Sequence, residues 1–177
     1  ARTSADVIRT YIHALGPDSE VQIVSSYFLM ILNPASDHER AVVFSDCALV
    51  VDPTAQELAD IGLASAHSFQ ELTGQIPQIA FLGFDTHGSA VHPKMEKVMN
   101  AVSLAKRRSP TFTIDGALQF DAAFVPEICK RKAPRSPIGG NVNVFIFPDL
   151  NSGNIGYKIA ERIGGAVALG PLLQGLT

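Results

Sequence analysis

Val142-Asn-Val-Phe-Ile-Phe-Pro-Asp-Leu-Asn-Ser-Gly-Asn-Ile-Gly-Tyr-Lys-Ile-Ala-Glu-Arg-Ile-Gly-Gly165 is the stretch that decides the fold class. Val142 to Phe147 is an apolar, β-prone run of the length expected for a buried strand. Pro148 and Asp149 stop it and open a helix from Asn151 to Ile163, which Gly164-Gly165 end. A buried strand running directly into a helix is half of a βαβ unit, and the same alternation repeats along the chain.

Working outward, Ala166 to Leu169 reads as a last short strand. Upstream, Phe120 to Lys132 reads as a helix, with Pro126 in its first turn or bending it. Phe112 to Asp115 and Ile79 to Phe84 read as strands. Pro93 to Arg108 reads as a helix with Met95, Val98, Met99, Val102 and Ala105 on one face. Thr54-Ala-Gln-Glu57 is a capping box before a helix that reaches Leu72. Val21 to Leu32 and Ala41 to Val51 are β-prone, and the polar Asn33 to Arg40 between them suits a hairpin with a loose loop. A first helix opens at Thr3-Ser4 and stops at Gly16-Pro17. The pattern predicts an α/β, three-layer, Rossmann-like sandwich with a mostly parallel sheet and one antiparallel element.

Composition narrows the function. Of 177 residues, 46% are hydrophobic and 18% charged, which supports a packed core and excludes a disordered tail. A net charge of −3 argues against a broad nucleic-acid binder. No apolar run reaches the ~18 residues of a membrane span, and Ala1 to Arg9 has no signal-peptide core. Two cysteines, Cys47 and Cys129, suit reduced thiols in a cytoplasmic protein rather than a disulfide scaffold. The chain does not start with Met, as expected of a processed product or a piece of a longer protein. No His/Cys/Asp/Glu spacing suggests a metal site.

In open α/β sheets, ligands bind beyond the carboxyl ends of the strands, so the loops there hold the candidates. Asp85-Thr-His-Gly-Ser89 suits an anion or a hydroxyl, or is a plain turn before a helix. Asp115 and Asp121 follow another strand, and capping is the reading preferred for Asp121. Pro148 to Asn154 offers backbone N–H groups to an anion, with Tyr157 and Lys158 one turn on. It is not a Walker loop, and binding and structural roles stand about even. Arg9, in the first helix, reads as a surface residue on these grounds alone.

Ile114-Asp-Gly-Ala-Leu-Gln-Phe-Asp-Ala-Ala-Phe-Val-Pro-Glu127, Lys132-Ala-Pro-Arg-Ser-Pro137, Asn143 to Arg162 and Gly170-Pro-Leu-Leu-Gln-Gly-Leu176 closely resemble the phosphate acetyltransferases. Thr3-Ser-Ala-Asp-Val-Ile-Arg9, Val43-Phe-Ser-Asp-Cys-Ala48 and Thr86-His-Gly-Ser-Ala90 follow the same family in order, with His87 where members often carry Lys. The resemblance implies a fold related to the isocitrate and isopropylmalate dehydrogenases. It implies acetyl transfer between CoA and inorganic phosphate, with no tightly bound cofactor and no metal. Its partners would be CoA or acetyl-CoA, acetyl phosphate and phosphate, with no nucleic acid or membrane.

By the same resemblance, Arg9 is the catalytic-cleft arginine that holds phosphate. Thr3, Ser4, Asn151, Gly153, Asn154, Tyr157 and Lys158 are substrate- or CoA-binding candidates. Residues 1–20 would end a first domain and form a connecting helix, and residues 21–177 would be the second domain. The family's Ser-Arg catalytic stretch lies beyond the equivalent of Thr177, so the isolated chain is expected to be inactive. A homodimer is implied, with the Met95–Val102 stripe and the helix from Leu58 to Leu72 as candidate faces. Phosphate butyryltransferase, an acetyl-CoA-sensing regulatory domain of a bacterial malic enzyme, and a purely dimerising domain are the competing readings.

Overall fold

The computed structural model of the chain describes residues 23–87 and 91–176. The predicted hairpin is present: β1 (Ser25–Leu32) pairs antiparallel with β2 (Arg40–Ser45), with Tyr27 opposite Ser45 and Leu32 opposite Arg40. Then follow α1 (Ala55–Thr73), β3 (Gln78–Leu82), α2 (Pro93–Arg108), β4 (Thr113–Leu118), α3 (Phe120–Phe124), α4 (Pro126–Lys132), β5 (Val144–Ile146), α5 (Leu150–Arg162) and β6 (Val167–Gln174). One six-stranded sheet has the order β4-β3-β5-β2-β1-β6. β4, β3, β5 and β2 are mutually parallel. β1 runs antiparallel to both β2 and β6 and is the one antiparallel strand, as the sequence suggested.

The side-chain period of 2 divides the core. Ile79, Phe81, Val144 and Ile146 face α1 and α2, packed by Leu58, Ile61 and Phe69 and by Met95, Val98 and Val102. Ala80, Leu82 and Phe145 face the other side with Phe44, Ala123, Cys129 and Tyr157. The result is a mixed α/β sandwich with helices on both faces of the sheet.

Several element boundaries differ from the sequence expectation, each for a local reason. β2 stops at Ser45 rather than Val51, because the Asp46 carboxylate collects the N–H groups of Ala48, Leu49 and Val50 and bends the chain. The single helix from Phe120 splits at Val125: Pro126 has no N–H to extend a helix and starts α4 at its first position instead. The last strand runs on to Gln174, and its Pro171 is tolerated because β6 lies at the sheet edge. The capping box at Thr54 and Glu57 forms as read, with reciprocal bonds of 3.2 and 2.8 Å.

The two faces expected to meet a second copy are core. Met95, Val98, Val102, Leu58, Ile61 and Phe69 are all buried, and of the large apolar residues in those segments only Met99 and Leu72 remain exposed. Both helices bury their apolar stripe against the sheet and each other, as amphipathic helices do. The first helix predicted from Thr3 lies outside the described residues.

Between α1 and α2 the buried Asp60 carboxylate accepts from the Arg108 guanidinium, with Gln56 Nε2 at 3.5 Å. Arg108→Ala strands Asp60 without its cation. Leaving a buried acceptor short of its partner costs roughly 1–3 kcal/mol, and a charged one more, with Gln56 left to soften the loss here. Urea denaturation is expected to show a midpoint shift of that size at unchanged m-value, and a loss below about 0.5 kcal/mol would show water replacing the guanidinium freely.

Candidate active-site cleft

β2, β5, β3 and β4 all point their carboxyl ends the same way. Over the ends of β3 and β5 opens a cleft of about 330 Å³. β3 delivers Leu82, Gly83 and Phe84 to it, and β5 runs into Phe147, Pro148, Asp149 and Ser152. α2 adds Lys94, Met95 and Lys97, and α3 adds Phe120. Gly83 packs closely on α2: a Cβ there would lie 2.9 Å from the end of the Met95 side chain, which would have to swing aside.

The walls are largely apolar, and Lys94, Lys97 and Asp149 are their charged residues. Lys97 Nζ donates to Asp52 Oδ1 at 2.7 Å and to the Pro148 carbonyl at 2.9 Å. That hydrogen bond, with the lysine's charge, holds the Asp52 carboxyl below the usual carboxylate range. Lys94 beside it is exposed. On the opposite rim Gln119 is a junction: its N–H donates to Thr86 Oγ1, its side chain donates to the Phe84 carbonyl, and it accepts from Lys132 Nζ at 2.9 Å. Lys132 also donates to Asp121 at 2.8 Å, which lowers the Asp121 pKa. Apolar walls with ammonium groups at the entrance suit a ligand that is part apolar arm and part anion.

The loop after β3 is fastened to the edge strand. His87, at φ +54°, donates its N–H to the Ala117 carbonyl, and its Nε2 lies 3.1 Å from Asp115 Oδ2. Lys106 Nζ stands 3.9 Å from the other oxygen of Asp115. The neighbouring Gly88 and Ser89 lie outside the described residues, as do Thr3, Ser4 and Arg9.

α5 carries the other candidates and divides them by face. Asp149 caps the helix, accepting from the Ser152 N–H at 2.9 Å, and both line the cleft. The N–H groups of Leu150 and Gly153 go to the carbonyls of Val51 and Asp149. The backbone donors read as facing an anion are therefore largely engaged by the protein. Asn151 is exposed at the helix start. Gly153 packs its Cα against the Asp46 carbonyl, where a Cβ has no room. Asn154 Nδ2 donates to the Cys47 carbonyl at 3.0 Å, and its Oδ1 accepts from Lys158 Nζ at 2.7 Å. Tyr157 stacks on Phe28 at 4.1 Å, and burial pushes its hydroxyl pKa up. Gly153, Asn154 and Tyr157 thus bind α5 to the β1–β2 end of the sheet.

Sequence reasoning did not single out Phe84, Phe120, Phe147, Lys97 or Gln119. Phe84 and Phe147 carried a usable signal, an aromatic placed just past the end of a strand. Lys97 carried none, since it reads as part of a solvated helix face. Among the described residues no group of three His, Cys, Asp or Glu side chains could hold a metal ion, and no helix is long and apolar enough to cross a membrane.

A family model described as phosphate acetyl/butaryl transferase matches residues 1–177. A phosphate acetyltransferase of Paracoccus denitrificans is 46% identical over 175 residues, 98% of this chain and 55% of that protein. A phosphotransacetylase from Streptococcus pyogenes of known structure superposes with a TM-score of 0.92 at 44% identity, covering 99% of this chain and 52% of that one. The EutD phosphotransacetylase from Staphylococcus aureus gives 0.89 at 40% identity, over 100% and 53%. The chain spans about half the length of the relatives it matches.

Two outcomes test the local assignments. Lys97→Met is expected to return the Asp52 carboxyl upward to the ordinary range. A lowered carboxyl pKa contributes stability above the ordinary value and loses it as pH falls through the lowered one, so the variant should also lose that part of its acid dependence. An NMR titration of Asp52 that does not move would remove Lys97 as its partner. Gly153→Ala forces backbone against backbone, an overpacking cost of about 1–3 kcal/mol. A thermal midpoint unchanged from the parent would mean that α5 shifts freely away from Asp46.

Proposed function

The chain belongs to the phosphate acetyl/butaryl transferase family, and on that premise we propose that it serves acetyl transfer between CoA and inorganic phosphate. The observation that carries this reading is the 42–46% identity to phosphate acetyltransferases over at least 98% of this chain. The apolar cleft with lysines at its mouth agrees with it. In the forward direction a phosphate oxygen bonds to the acetyl carbonyl carbon, the C–S bond breaks, and the CoA sulfur leaves and takes a proton. The reverse reaction needs a deprotonated thiol, donors for the developing oxyanion, and cations for the departing phosphate.

In this reading Arg9 grips the phosphate in the cleft, and Thr3 and Ser4 open the segment that presents it. Ser152 and Asp149 form the cleft side of α5. Asn151, Gly153, Asn154, Tyr157 and Lys158 belong to the same binding element, most of them by holding the helix against β1 and β2. CoA and acetyl-CoA are substrates, no tightly bound cofactor takes part, and the protein works in the cytoplasm as a homodimer. Residues 21–177 act as the second domain of a dehydrogenase-like, Rossmann-type subunit, with residues 1–20 leading in from the first. The pairing of Ser25 with Gln174 supports this. The first residue of β1 and the last of β6 lie side by side at the carboxyl end of the sheet.

The test is thioester formation from CoA and acetyl phosphate by the complete protein and its Arg9→Ala variant. Removing a charge-assisted contact to phosphate is expected to cost about 1.5–3 kcal/mol, or about 10–160-fold in kcat/KM for acetyl phosphate. No thioester from the unaltered protein would sink the reading. Unchanged kinetics in the variant would return Arg9 to the surface.

A further inference from the structure

Lys97 is held in a fixed place and still has a hydrogen to give. Its ammonium donates to the Pro148 carbonyl at 2.9 Å and to Asp52 Oδ1 at 2.7 Å, so one of its three N–H groups has no partner among the described residues. The two acceptors differ in kind. Pro148 lines the cleft between β5 and α5, and the bond to its carbonyl ties α2 to that wall. Asp52 does not line the cleft. Its side chain is 79% exposed, against 22% for Lys97, and Lys97 is its one hydrogen-bond partner among the described residues. The turn that carries Asp52 is fixed on both sides: the Val51 carbonyl accepts from the Leu150 N–H at 2.9 Å, and Thr54 caps α1. The carboxylate is therefore delivered to the ammonium by its neighbours, while the exposed pair adds little stability of its own. Lys94, one turn earlier on α2, lines the same cleft and is exposed. The Lys97 hydrogen bond and charge lower the Asp52 pKa, and the charge of Lys94 adds to them.

We propose that Lys97 and Lys94 form a clasp for a phosphate group of CoA, and that Asp52 is the resident counter-ion which this phosphate displaces. A carboxylate oxygen 2.7 Å from an ammonium stands where a phosphate oxygen would stand, since both are anionic acceptors of the same reach. The clasp borders a largely apolar cleft with Phe84, Phe120 and Phe147 along it. A free phosphate has no use for such walls, whereas CoA carries its phosphates on a long and partly apolar body. The charges change in the required sense. Two lysines stand beside two carboxylates, Asp52 and the cleft-lining Asp149, whose Oδ1 accepts from the Ser152 N–H. With Asp52 in place the four charges cancel. With Asp52 turned out into water, as its exposure allows, the clasp keeps a net positive charge for the incoming anion. A lysine suits the exchange, because its donors swap partners while the Pro148 carbonyl keeps the ammonium in place. Asp52 thus holds Lys97 ready and competes with the substrate for it. The inference rests on the CoA-dependent reading above and names the residues that take the phosphate end of that substrate.

Calorimetry on the complete protein with CoA, pantetheine and inorganic phosphate decides it. Pantetheine has the thiol-bearing arm of CoA without the phosphates. Lys97→Met is expected to weaken CoA binding about tenfold, the low end for a hydrogen bond between charged groups, and to leave pantetheine binding unchanged. Asp52→Asn is expected to tighten CoA binding about 2–5-fold by releasing an exposed ion pair, and to change nothing once Lys97 is replaced by Met. Equal losses for CoA and pantetheine would make Lys97 a part of the wall and overturn the clasp. A loss confined to inorganic phosphate overturns it as well, by giving the lysines to the other substrate. Asp52→Asn alters a side chain open to water, so it keeps the test intact should Lys97→Met fail to fold. Unchanged CoA affinity in that variant overturns the counter-ion role. Calorimetry needs no turnover: a parent that binds CoA in this pattern but forms no thioester leaves the clasp standing and sinks acetyl transfer, and a parent that binds no CoA sinks both.

Discussion

The buried Asp46 carboxylate is the constraint on which the rest of the molecule depends. It accepts from the N–H groups of Ser26, Ala48, Leu49 and Val50 and from the Ser26 hydroxyl. Five donors converge on one side chain that is 3% exposed. Burying a carboxylate is costly unless it is fully hydrogen-bonded, so the loop has little freedom to choose another shape. That loop ends β2, ties it to β1, and presents two carbonyls outward. Against the Asp46 carbonyl packs Gly153, and to the Cys47 carbonyl Asn154 donates. The position of α5, and with it one wall of the cleft, follows from a carboxylate at the end of a different strand.

α5 consequently serves three surfaces at once. Its first turn faces the cleft through Asp149 and Ser152. One side docks on β1 and β2 through Asn154 and Tyr157, and a third side carries Ile155, Ile159 and Ile163, which are exposed. The helical period assigns these to different directions. This explains why the run Asn-Ser-Gly-Asn-Ile-Gly-Tyr-Lys reads as one motif in sequence but divides its labour in space. The opposite rim is built differently, by hydrogen bonds that converge on Gln119 from the β3 loop and from α4.

Much of the fold was legible in the residues. α2 runs from Pro93 to Arg108 as its periodicity and start signals indicate, and α1 opens at its capping box. The hairpin of β1 and β2 is where two β-prone runs flank a polar loop. What was not legible involves partners distant in sequence. Nothing around Ala41 to Val51 announces that Asp46, 20 residues from Ser26, will end the strand. Met99 belongs to the apolar stripe by spacing, yet it is 43% exposed, because the stripe facing α1 and the sheet is narrower than the apolar pattern.

By itself the sequence determined the alternation of strands and helices, the layer architecture and the family, because these depend on local periodicity, capping chemistry and runs of residue identities. The tertiary structure alone decided which apolar residues are core and which are surface. It also decided which residues meet over the carboxyl ends of β3 and β5, and which face of α5 is left uncovered. Phe84, Lys97, Phe120 and Phe147 come from four segments that only the strand order β4-β3-β5-β2 brings to one cleft. Strand order is set by the mutual burial of whole faces, which no single segment of the chain carries.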